Sequence, residues 1–413
     1  MGTLAEEIFS RKLGRPVEAG ELVVVPVDLV MSHDTTTPLA VEAFSQLRDR
    51  VWDPSRVVIV LDHIMPPASI ATAALHQVTR RFVAEQEIQN FFQEGVCHQV
   101  LVEKGLVRPG MLIVGGDSHT CTYGALGAFG TGMGSTDIGL AYATGKTWFR
   151  VPETIRIEVS GRLPARSYAK DIILAIVREL GVEGANYRAV EFAGETIRAL
   201  PVGDRMTLSN MAVEFGAKAG LIEADETTLA YLAPRTTETV GPIAPANPRY
   251  EREIRLDIGS LGPLVACPPD VGNVHPVGDV EGTPLDEVFI GTCTNGRLED
   301  IAVAARMLAG KQVHRFTRTV VIPASREIYL AAMEKGYIRT LMEAGAIVGN
   351  PGCGPCIGRH QGTLAAGERA LTTMNRNFTG RMGDPTSEIY VASPATAAAS
   401  AIAGRIVDPR RYQ

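Results

Sequence analysis

The sequence has few cysteines, no excess of positive charge and no long apolar segment near its start. Six cysteines spread over 413 residues do not make a disulfide framework, so we expect a reducing cytoplasm. The formal net charge of −6 gives no basic surface for nucleic acid or an anionic membrane. Residues 1–14 contain acidic and basic side chains and no apolar run, so we expect neither a signal peptide nor a membrane span there.

The chain also lacks internal repeats, low-complexity segments and a dinucleotide-binding motif. Residues 124–145 are rich in glycine, but their spacing does not give G-x-G-x-x-G after a strand. With 45% hydrophobic residues over 413 positions, the chain is expected to be globular, with two or three domains.

Cys353 and Cys356 form a C-x-x-C motif inside a loop of glycines and prolines. Glycine lets the backbone approach a bulky ligand, and proline fixes the turn. Two thiols this close bind a metal, exchange a disulfide or do neither, and the motif alone does not choose among these.

Cys293 adds a third thiol at a position typical of binding sites. It follows a short buried strand predicted at residues 288–290 and precedes a helix predicted to start near Leu298. Ligands of open α/β sheets bind at the carboxyl ends of strands. Three thiolates suit an iron–sulfur or zinc centre, but no second C-x-x-C or H-x-x-x-H stands nearby to close a zinc site. A [4Fe–4S] cluster with three ligands would leave one iron open to substrate.

Histidines and aspartates follow the predicted strands in the first part of the chain. Asp62 and His63 come directly after a strand predicted at residues 57–61, and Asp117 and His119 after one predicted at 111–114. His98 is predicted to follow a helix over residues 79–94. A carboxylate beside an imidazole fixes its tautomer and raises its basicity, which favours acid–base catalysis.

Arg376 and Arg381 lie five residues apart across a glycine near the end of the chain. This spacing suits two guanidinium groups that bind carboxylates bidentately.

In combination, these motifs resemble the active-site motifs of the aconitase family, in the same order. The motifs are Asp62-His63, His98-Gln99, Gly116-Asp-Ser-His-Thr120, Thr292-Cys-Thr-Asn295, Gly352-Cys-Gly-Pro-Cys-Ile-Gly358 and Asn375-Arg-Asn-Phe-Thr-Gly380. The resemblance implies an α/β fold with three aconitase-type domains around a central cleft, at residues 1–151, 152–280 and 281–413. We expect the fourth, swivelling domain to be absent, as in the branch of 3-isopropylmalate dehydratases and homoaconitases, where a small subunit supplies it.

The resemblance also implies roles for individual residues. Cys293, Cys353 and Cys356 would hold a [4Fe–4S] cluster with one open iron. The acid–base pairs would be His63 with Asp62, His98 with Asp117, and His119 with Glu191. Substrate and cluster contacts would come from Ser118, Asn186, Asn375, Arg376 and Arg381. The base that acts at carbon would be a serine of the missing domain.

The hypothesis is therefore the large subunit of a hydro-lyase that interconverts 2- and 3-isopropylmalate in leucine biosynthesis. Homoaconitase and dehydratases of the dimethylmalate or citramalate type are alternatives that the sequence does not separate. An iron-sensing binding protein is a further possibility, but it would need a basic groove and the fourth domain, and the sequence indicates neither. A non-catalytic zinc protein would explain the cysteines but not the histidine–carboxylate motifs or the two arginines. The expected partners are the small subunit and a hydroxy di- or tricarboxylic acid, without nucleic acid or membrane.

Overall fold

This computed structural model describes residues 2–238 and 240–412. The described chain has an α/β architecture with three larger β-sheets and a two-stranded ribbon. The predicted domain ends at Met1 and Gln413 lie outside the described residues. The helices are α1 (Leu4–Leu13), α2 (Thr37–Ser45), α3 (Ile70–Glu85), α4 (Cys97–Glu103), α5 (Ser135–Thr144), α6 (Ala169–Leu180), α7 (Glu195–Ala199), α8 (Val202–Asn210), α9 (Glu226–Leu232), α10 (Thr292–Asn295), α11 (Leu298–Leu308), α12 (Arg326–Glu334), α13 (Tyr337–Glu343) and α14 (Pro394–Ala403). Short 3-10 helices span Pro54–Arg56, Ser118–Leu126, Met211–Phe215, Val277–Asp279, Gly354–Ile357 and Pro409–Arg411.

The strands form four sheets, one of which is the two-stranded ribbon. They are β1 (Leu22–Pro26), β2 (Leu29–His33), β3 (Val57–Val60), β4 (Asn90–Phe92), β5 (Leu112–Gly115), β6 (Phe129–Gly132), β7 (Lys146–Arg150), β8 (Thr154–Ser160), β9 (Ala189–Ala193), β10 (Ala219–Ile222), β11 (Arg252–Asp257), β12 (Leu264–Ala266), β13 (Val274–Pro276), β14 (Glu287–Gly291), β15 (Arg318–Ile322), β16 (Ile347–Val348), β17 (Arg369–Thr372) and β18 (Glu388–Ala392). Strands β1 and β7 pair with each other as the antiparallel ribbon.

The first sheet is parallel throughout, with the strand order β4-β3-β2-β5-β6. Its inner strand β3 reads Val-Val-Ile-Val and is fully buried, as expected for a strand covered on both faces. The strand order reverses between β2 and β5. A crevice therefore opens at the carboxyl ends of these two strands, where ligands of such sheets bind.

The second sheet, β10-β9-β8-β11, is also parallel. Helix α6 covers it with Ile172, Ile173 and Ile176, which are buried with the apolar side chains of the strands. Helix α8 and the Met211–Phe215 helix follow and lead back toward the first sheet.

The third sheet has the order β13-β12-β18-β17-β14-β15-β16. Strands β14 to β18 are parallel to one another and repeat the order of the first sheet, so the order reverses between β14 and β17. This places a second crevice at the carboxyl ends of β14 and β17.

Two features differ from the sequence-based expectations. The helix predicted over residues 79–94 is confirmed up to Glu85, where α3 ends, and is wrong beyond it. Strand β4 follows, and His98 lies in the first turn of α4. Strands β12 and β13, inside the segment assigned to the second domain, pair with the third sheet. The division into three domains with these boundaries stays a prediction. Within residues 2–238 and 240–412, no helix has the length and apolar character needed to cross a membrane.

Candidate active site

Side chains from the two crevices meet in one cavity of about 250 Å³. The first sheet contributes the ends of β2, β3 and β5, and the third sheet contributes the loops after β14, β16 and β17. The lining residues are His33, Thr35, His63, Val96, His98, Gly116, Asp117, Ser118, His119, Cys293, Cys353, Cys356, Ile357, Asn375, Arg376 and Arg381. Eleven of the predicted site residues therefore face one space, and Asp62 stands directly behind His63.

Carboxylates bind both ring nitrogens of His63. Its Nδ1 lies 2.6 Å from Asp62 Oδ1, and its Nε2 lies 3.2 Å from Asp117 Oδ2. Burial alone would lower the pKa of His63, but Asp62 and Asp117 together raise it well above its usual value. The second oxygen of Asp62 accepts a hydrogen bond from Cys97 N at 2.7 Å, which fixes the carboxylate. His63 is therefore a cation near neutral pH.

Asp117 is shared among several histidines. It accepts hydrogen bonds from His98 Nε2 at 2.8 Å and from the backbone of His119 at 2.7 Å, and it lies 3.4 Å from His33 Nε2. Burial would raise the pKa of Asp117, but these neighbours lower it well below its usual value. For His98, burial outweighs Asp117 and lowers its pKa. The cavity thus contains a charged histidine, His63, beside a neutral one, His98.

The predicted pairing of His119 with Glu191 was wrong. Glu191 lies on β9 and is used for structure, since its oxygens accept hydrogen bonds from Leu4 N at 2.6 Å and Tyr250 Oη at 2.8 Å. His119 Nε2 instead lies 2.8 Å from Glu214 Oε1.

Glu214 also forms an ion pair inside the site. Arg376 Nε donates to both of its oxygens, at 2.9 and 3.0 Å. Although burial would raise the pKa of Glu214, Arg376 and His119 lower it, so this carboxylate is ionised.

The three cysteines are buried and free. Cys293 lies in the single turn α10 after β14, where Thr292 has φ +73°, an unusual value for a β-branched residue. The loop with Cys353 packs against the first sheet, because Cys353 N donates to Asp62 O at 3.0 Å. A Cβ on Gly352 would stand 2.8 Å from that same oxygen, which explains the glycine.

Side-chain donors surround the cysteine sulfurs. Asn210 Nδ2 lies 3.2 Å from Cys293 Sγ, Asn375 Nδ2 lies 3.6 Å from it, and Arg381 Nη2 lies 3.3 Å from Cys356 Sγ. The hydrogen bond from Cys353, helped by Arg381, holds the pKa of Cys356 well below its usual value. Burial raises the pKa of Cys293 to about 11.

The prediction for Asn186 was wrong as well. Asn186 is exposed and lies in the turn before β9, where its backbone carbonyl accepts a hydrogen bond from Arg188. The asparagine beside Cys293 is Asn210, at the end of α8, and its Oδ1 accepts a hydrogen bond from Asn375 at 3.1 Å.

The cysteine arrangement fits a cluster better than a single metal ion. Among the described residues, His33, Asp34, Asp62 and His63 form the one group of possible ligands whose atoms all lie within 4.8 Å of one another. At least one pair of the three cysteine sulfurs therefore lies more than 4.8 Å apart, beyond the ~3.8 Å separation that Zn–S bonds of about 2.3 Å require in a tetrahedral site. Two buried nitrogens of cavity residues, His98 Nδ1 and Arg381 Nε, have no partner in the described residues, which fits a polar ligand in the cavity.

His33, Asp34, Asn210 and Glu214 were not predicted from the sequence. His33 ends β2 and Asp34 follows it, near the carboxyl end of a strand like Asp62 and His63, so their place at a strand end was an available signal. His33 stacks on His63 with ring centroids 3.8 Å apart. Asn210 and Glu214 have no comparable signal in the sequence. Asn210 ends α8 and Glu214 lies in the 3-10 helix that follows, and only the tertiary fold brings this part of the chain to the third sheet.

The chain is similar to known proteins over almost its whole length. The model of the aconitase family (aconitate hydratase) matches residues 6–284 and 276–404. A 3-isopropylmalate dehydratase large subunit of Methanopyrus kandleri is 54% identical, covering 99% of both chains. A probable homoaconitase large subunit of Methanothermobacter thermautotrophicus is 52% identical, covering 99% of this chain and 97% of that one. A probable 3-isopropylmalate dehydratase large subunit of Methanosarcina mazei is also 52% identical, over 99% and 100%. The chain belongs to the aconitase family.

Proposed function

We propose that this chain is the large, cluster-bearing subunit of a hydro-lyase that interconverts 2-isopropylmalate and 3-isopropylmalate. One observation carries the proposal: three free cysteines, three histidine–carboxylate pairs and two arginines line or border a single cavity. The substrate class is supported by the names of relatives that are 54% and 52% identical to this chain over 99% of its length. The implied pathway is leucine biosynthesis in the cytoplasm.

Cys293, Cys353 and Cys356 would hold the cluster. When bound, a [4Fe–4S] cluster with three cysteine ligands supplies an open iron that acts as a Lewis acid toward a substrate oxygen. The low pKa of Cys356 provides one thiolate in advance, whereas Cys293 must lose its proton as the metal binds. Asn210, Asn375 and Arg381 would donate hydrogen bonds to the bound sulfurs.

His63 would be the proton donor for the leaving hydroxyl. Its contact with Asp117, at 3.2 Å, is longer than the 2.6 Å contact with Asp62, so Nε2 is the nitrogen better placed to release a proton. His98 would stay neutral and orient the departing water, with Asp117 fixing its ring. Asp62 would hold His63 in place and stabilise its cationic form.

Arg376 and Arg381 would bind the carboxylates of the substrate. Arg376 is held by Glu214 through Nε, which leaves its Nη atoms for the cavity. Ser118 lines the same space, 3.5 Å from His119 Nδ1, and can donate to a carboxylate oxygen. A planar guanidinium matches a carboxylate bidentately, which fixes the substrate before the proton moves.

A small subunit would complete the site. The relatives are named as large subunits, which implies a second chain. We assign to that chain the base that removes the proton from carbon and the contacts to the substrate side chain. The large subunit alone would therefore be inactive.

Homoaconitase is the second candidate, because one relative of that name is 52% identical over 99% of this chain. The two names occur at the same level of identity, so identity does not separate the substrates. Direct comparison of the acids is needed.

The test is anaerobic reconstitution with iron and sulfide, followed by addition of the small subunit. Alkene absorbance would be followed with 3-isopropylmalate, homocitrate and dimethylmalate in parallel. Turnover of 3-isopropylmalate with both chains is the expected result. Preferred turnover of homocitrate would establish the second candidate, and turnover without the small subunit would contradict the assigned division of labour.

Metal analysis of the same preparation tests the non-catalytic alternatives. Iron and sulfide in equal amounts are expected for the cluster, whereas zinc without sulfide would overturn the proposal.

A further inference from the structure

Lys170 is a fully buried lysine in the second residue of α6. Its partners among the described residues are uncharged: Thr373 O and Met374 O at 2.9 Å each, and Met211 Sδ at 3.4 Å. Burial of an ammonium group without an ion pair is costly, and the first turn of a helix disfavours a positive charge. Packing alone therefore does not account for a lysine here.

The two carbonyls belong to the segment that enters the active site. Thr373 and Met374 lead directly to Asn375 and Arg376. Asn375 contacts Cys293 Sγ, and Arg376 pairs with Glu214. Fixing both carbonyls fixes the backbone from which these two side chains project.

The third contact of Lys170, with Met211 Sδ, is to the segment that carries Asn210 and Glu214. Met211 lies between Asn210, which contacts Cys293 Sγ, and Glu214. The amine of Lys170 thus contacts two segments of the chain. Together they supply the side-chain amides of Asn210 and Asn375 beside Cys293 and the ion pair of Glu214 with Arg376.

Thr373 extends this connection to the cysteine itself. Its Oγ1 accepts a hydrogen bond from Gly291 N at 2.9 Å and donates one to Gly291 O at 3.2 Å. Gly291 ends β14, two residues before Cys293. Lys170 and Thr373 together therefore join α6 of the second sheet to the crevice of the third sheet.

We propose that Lys170 is a positioning residue that holds Asn375 and Arg376 in register with Asn210 and Glu214 around Cys293. Burial lowers the pKa of Lys170 to about 7, yet an amine has at least two N–H donors in either protonation state, so both carbonyls stay bound. The catalytic meaning of this role rests on the proposed function, but the structural role does not.

Hydrogen exchange of the cluster-free chain tests the structural role without substrate. Lys170→Met keeps the length of the side chain and removes the donors, which leaves two buried carbonyls unpaired. We expect amide exchange in residues 373–382 and 291–296 to rise about tenfold or more. Because Lys170→Met could fail to fold, Lys170→Gln is measured as well. It keeps an amide NH2 group with two N–H donors on a shorter side chain, and a smaller increase is expected.

Arg205→Met is the matched control, because Arg205 is also a fully buried cation, paired with Asp225 at 2.7 Å, and it does not line the cavity. It should destabilise the chain without raising exchange in residues 373–382. Unchanged exchange in both Lys170 variants, or an equal increase in Arg205→Met, would overturn the proposal.

The reconstituted chain gives a second reading through the electron paramagnetic resonance of its reduced cluster. Hydrogen bonds to cluster sulfurs tune the electronic structure of the cluster. Lys170→Met should shift the g values, and Arg205→Met should leave them unchanged. If no cluster forms in the wild type, the proposed function fails while hydrogen exchange still decides the role of Lys170.

Discussion

Glu214 and His119 meet across 2.8 Å, and they come from different parts of the chain. His119 follows β5 of the first sheet, whereas Glu214 lies in the 3-10 helix before β10 of the second sheet. Arg376, after β17 of the third sheet, closes the group through its ion pair with Glu214. One carboxylate therefore joins three sheets at the cavity wall, and its charge is needed to keep both partners in place.

Replacement of Glu214 by Gln should lower kcat about a hundredfold or more, because His119 and Arg376 both lose their charged partner. Glu191→Gln is the control, since Glu191 contacts Leu4 and Tyr250 instead of the cavity residues. Steady-state kinetics of the two-subunit enzyme would measure both variants. A larger loss in Glu191→Gln than in Glu214→Gln would restore the pairing that the sequence suggested.

The sequence could place the residues that follow strands. Strand β3 is a run of buried β-branched residues, and Asp62 and His63 follow it after Leu61, so their position at a sheet edge follows from the parallel pattern. The same reasoning placed Cys293 after β14. Local order in the chain was sufficient for these residues because a strand end is a local feature.

Glu191 and Asn186 could not be placed in this way. Glu191 lies on a strand and Asn186 in a turn, and a local pattern does not say which of several acids or amides approaches a distant histidine or cysteine. We assign their proposed roles to Glu214 and Asn210, which contact His119 and Cys293 because α8 and the following 3-10 helix pack against the Ser118–Leu126 helix. That contact depends on the tertiary fold.

Cys356→Ser should abolish cluster binding, because it removes the thiolate whose pKa is already depressed. Cys267→Ser is the matched control, since Cys267 is also buried but lies outside the cavity. Iron and sulfide content after anaerobic reconstitution measures both. Full cluster content in Cys356→Ser, or an equal loss in Cys267→Ser, would contradict the ligand assignment.

Arg381→Lys should raise KM for the acid substrate about tenfold or more, since an ammonium cannot reproduce the planar fork of a guanidinium. Arg381 lines the cavity and is partly buried, and its guanidinium carbon lies 5.5 Å from the Phe378 ring centroid. The exposed Arg359, three residues after Cys356, is the control, and Arg359→Lys should leave KM within about twofold. A change in kcat alone would mean that Arg381 acts through its contact with Cys356 Sγ instead of by binding the substrate.

The raised pKa of His63 should make the stability of the cluster-free chain fall as the pH rises. The folded state holds a proton on His63 above about pH 6.5, where the unfolded chain releases it. Because the folded state then binds more protons, the free energy of unfolding decreases with pH until the folded pKa is passed. This contribution is fully present below the unfolded pKa.

Urea unfolding of wild type and His63→Gln, with a reductant present, isolates the contribution of His63 to the free energy of unfolding. The wild-type advantage should shrink by about 1 kcal/mol or more between about pH 6 and about pH 9. A wild-type advantage over His63→Gln that grows with pH would mean that His63 is neutral in the folded chain, and the proton donor would then have to be sought elsewhere.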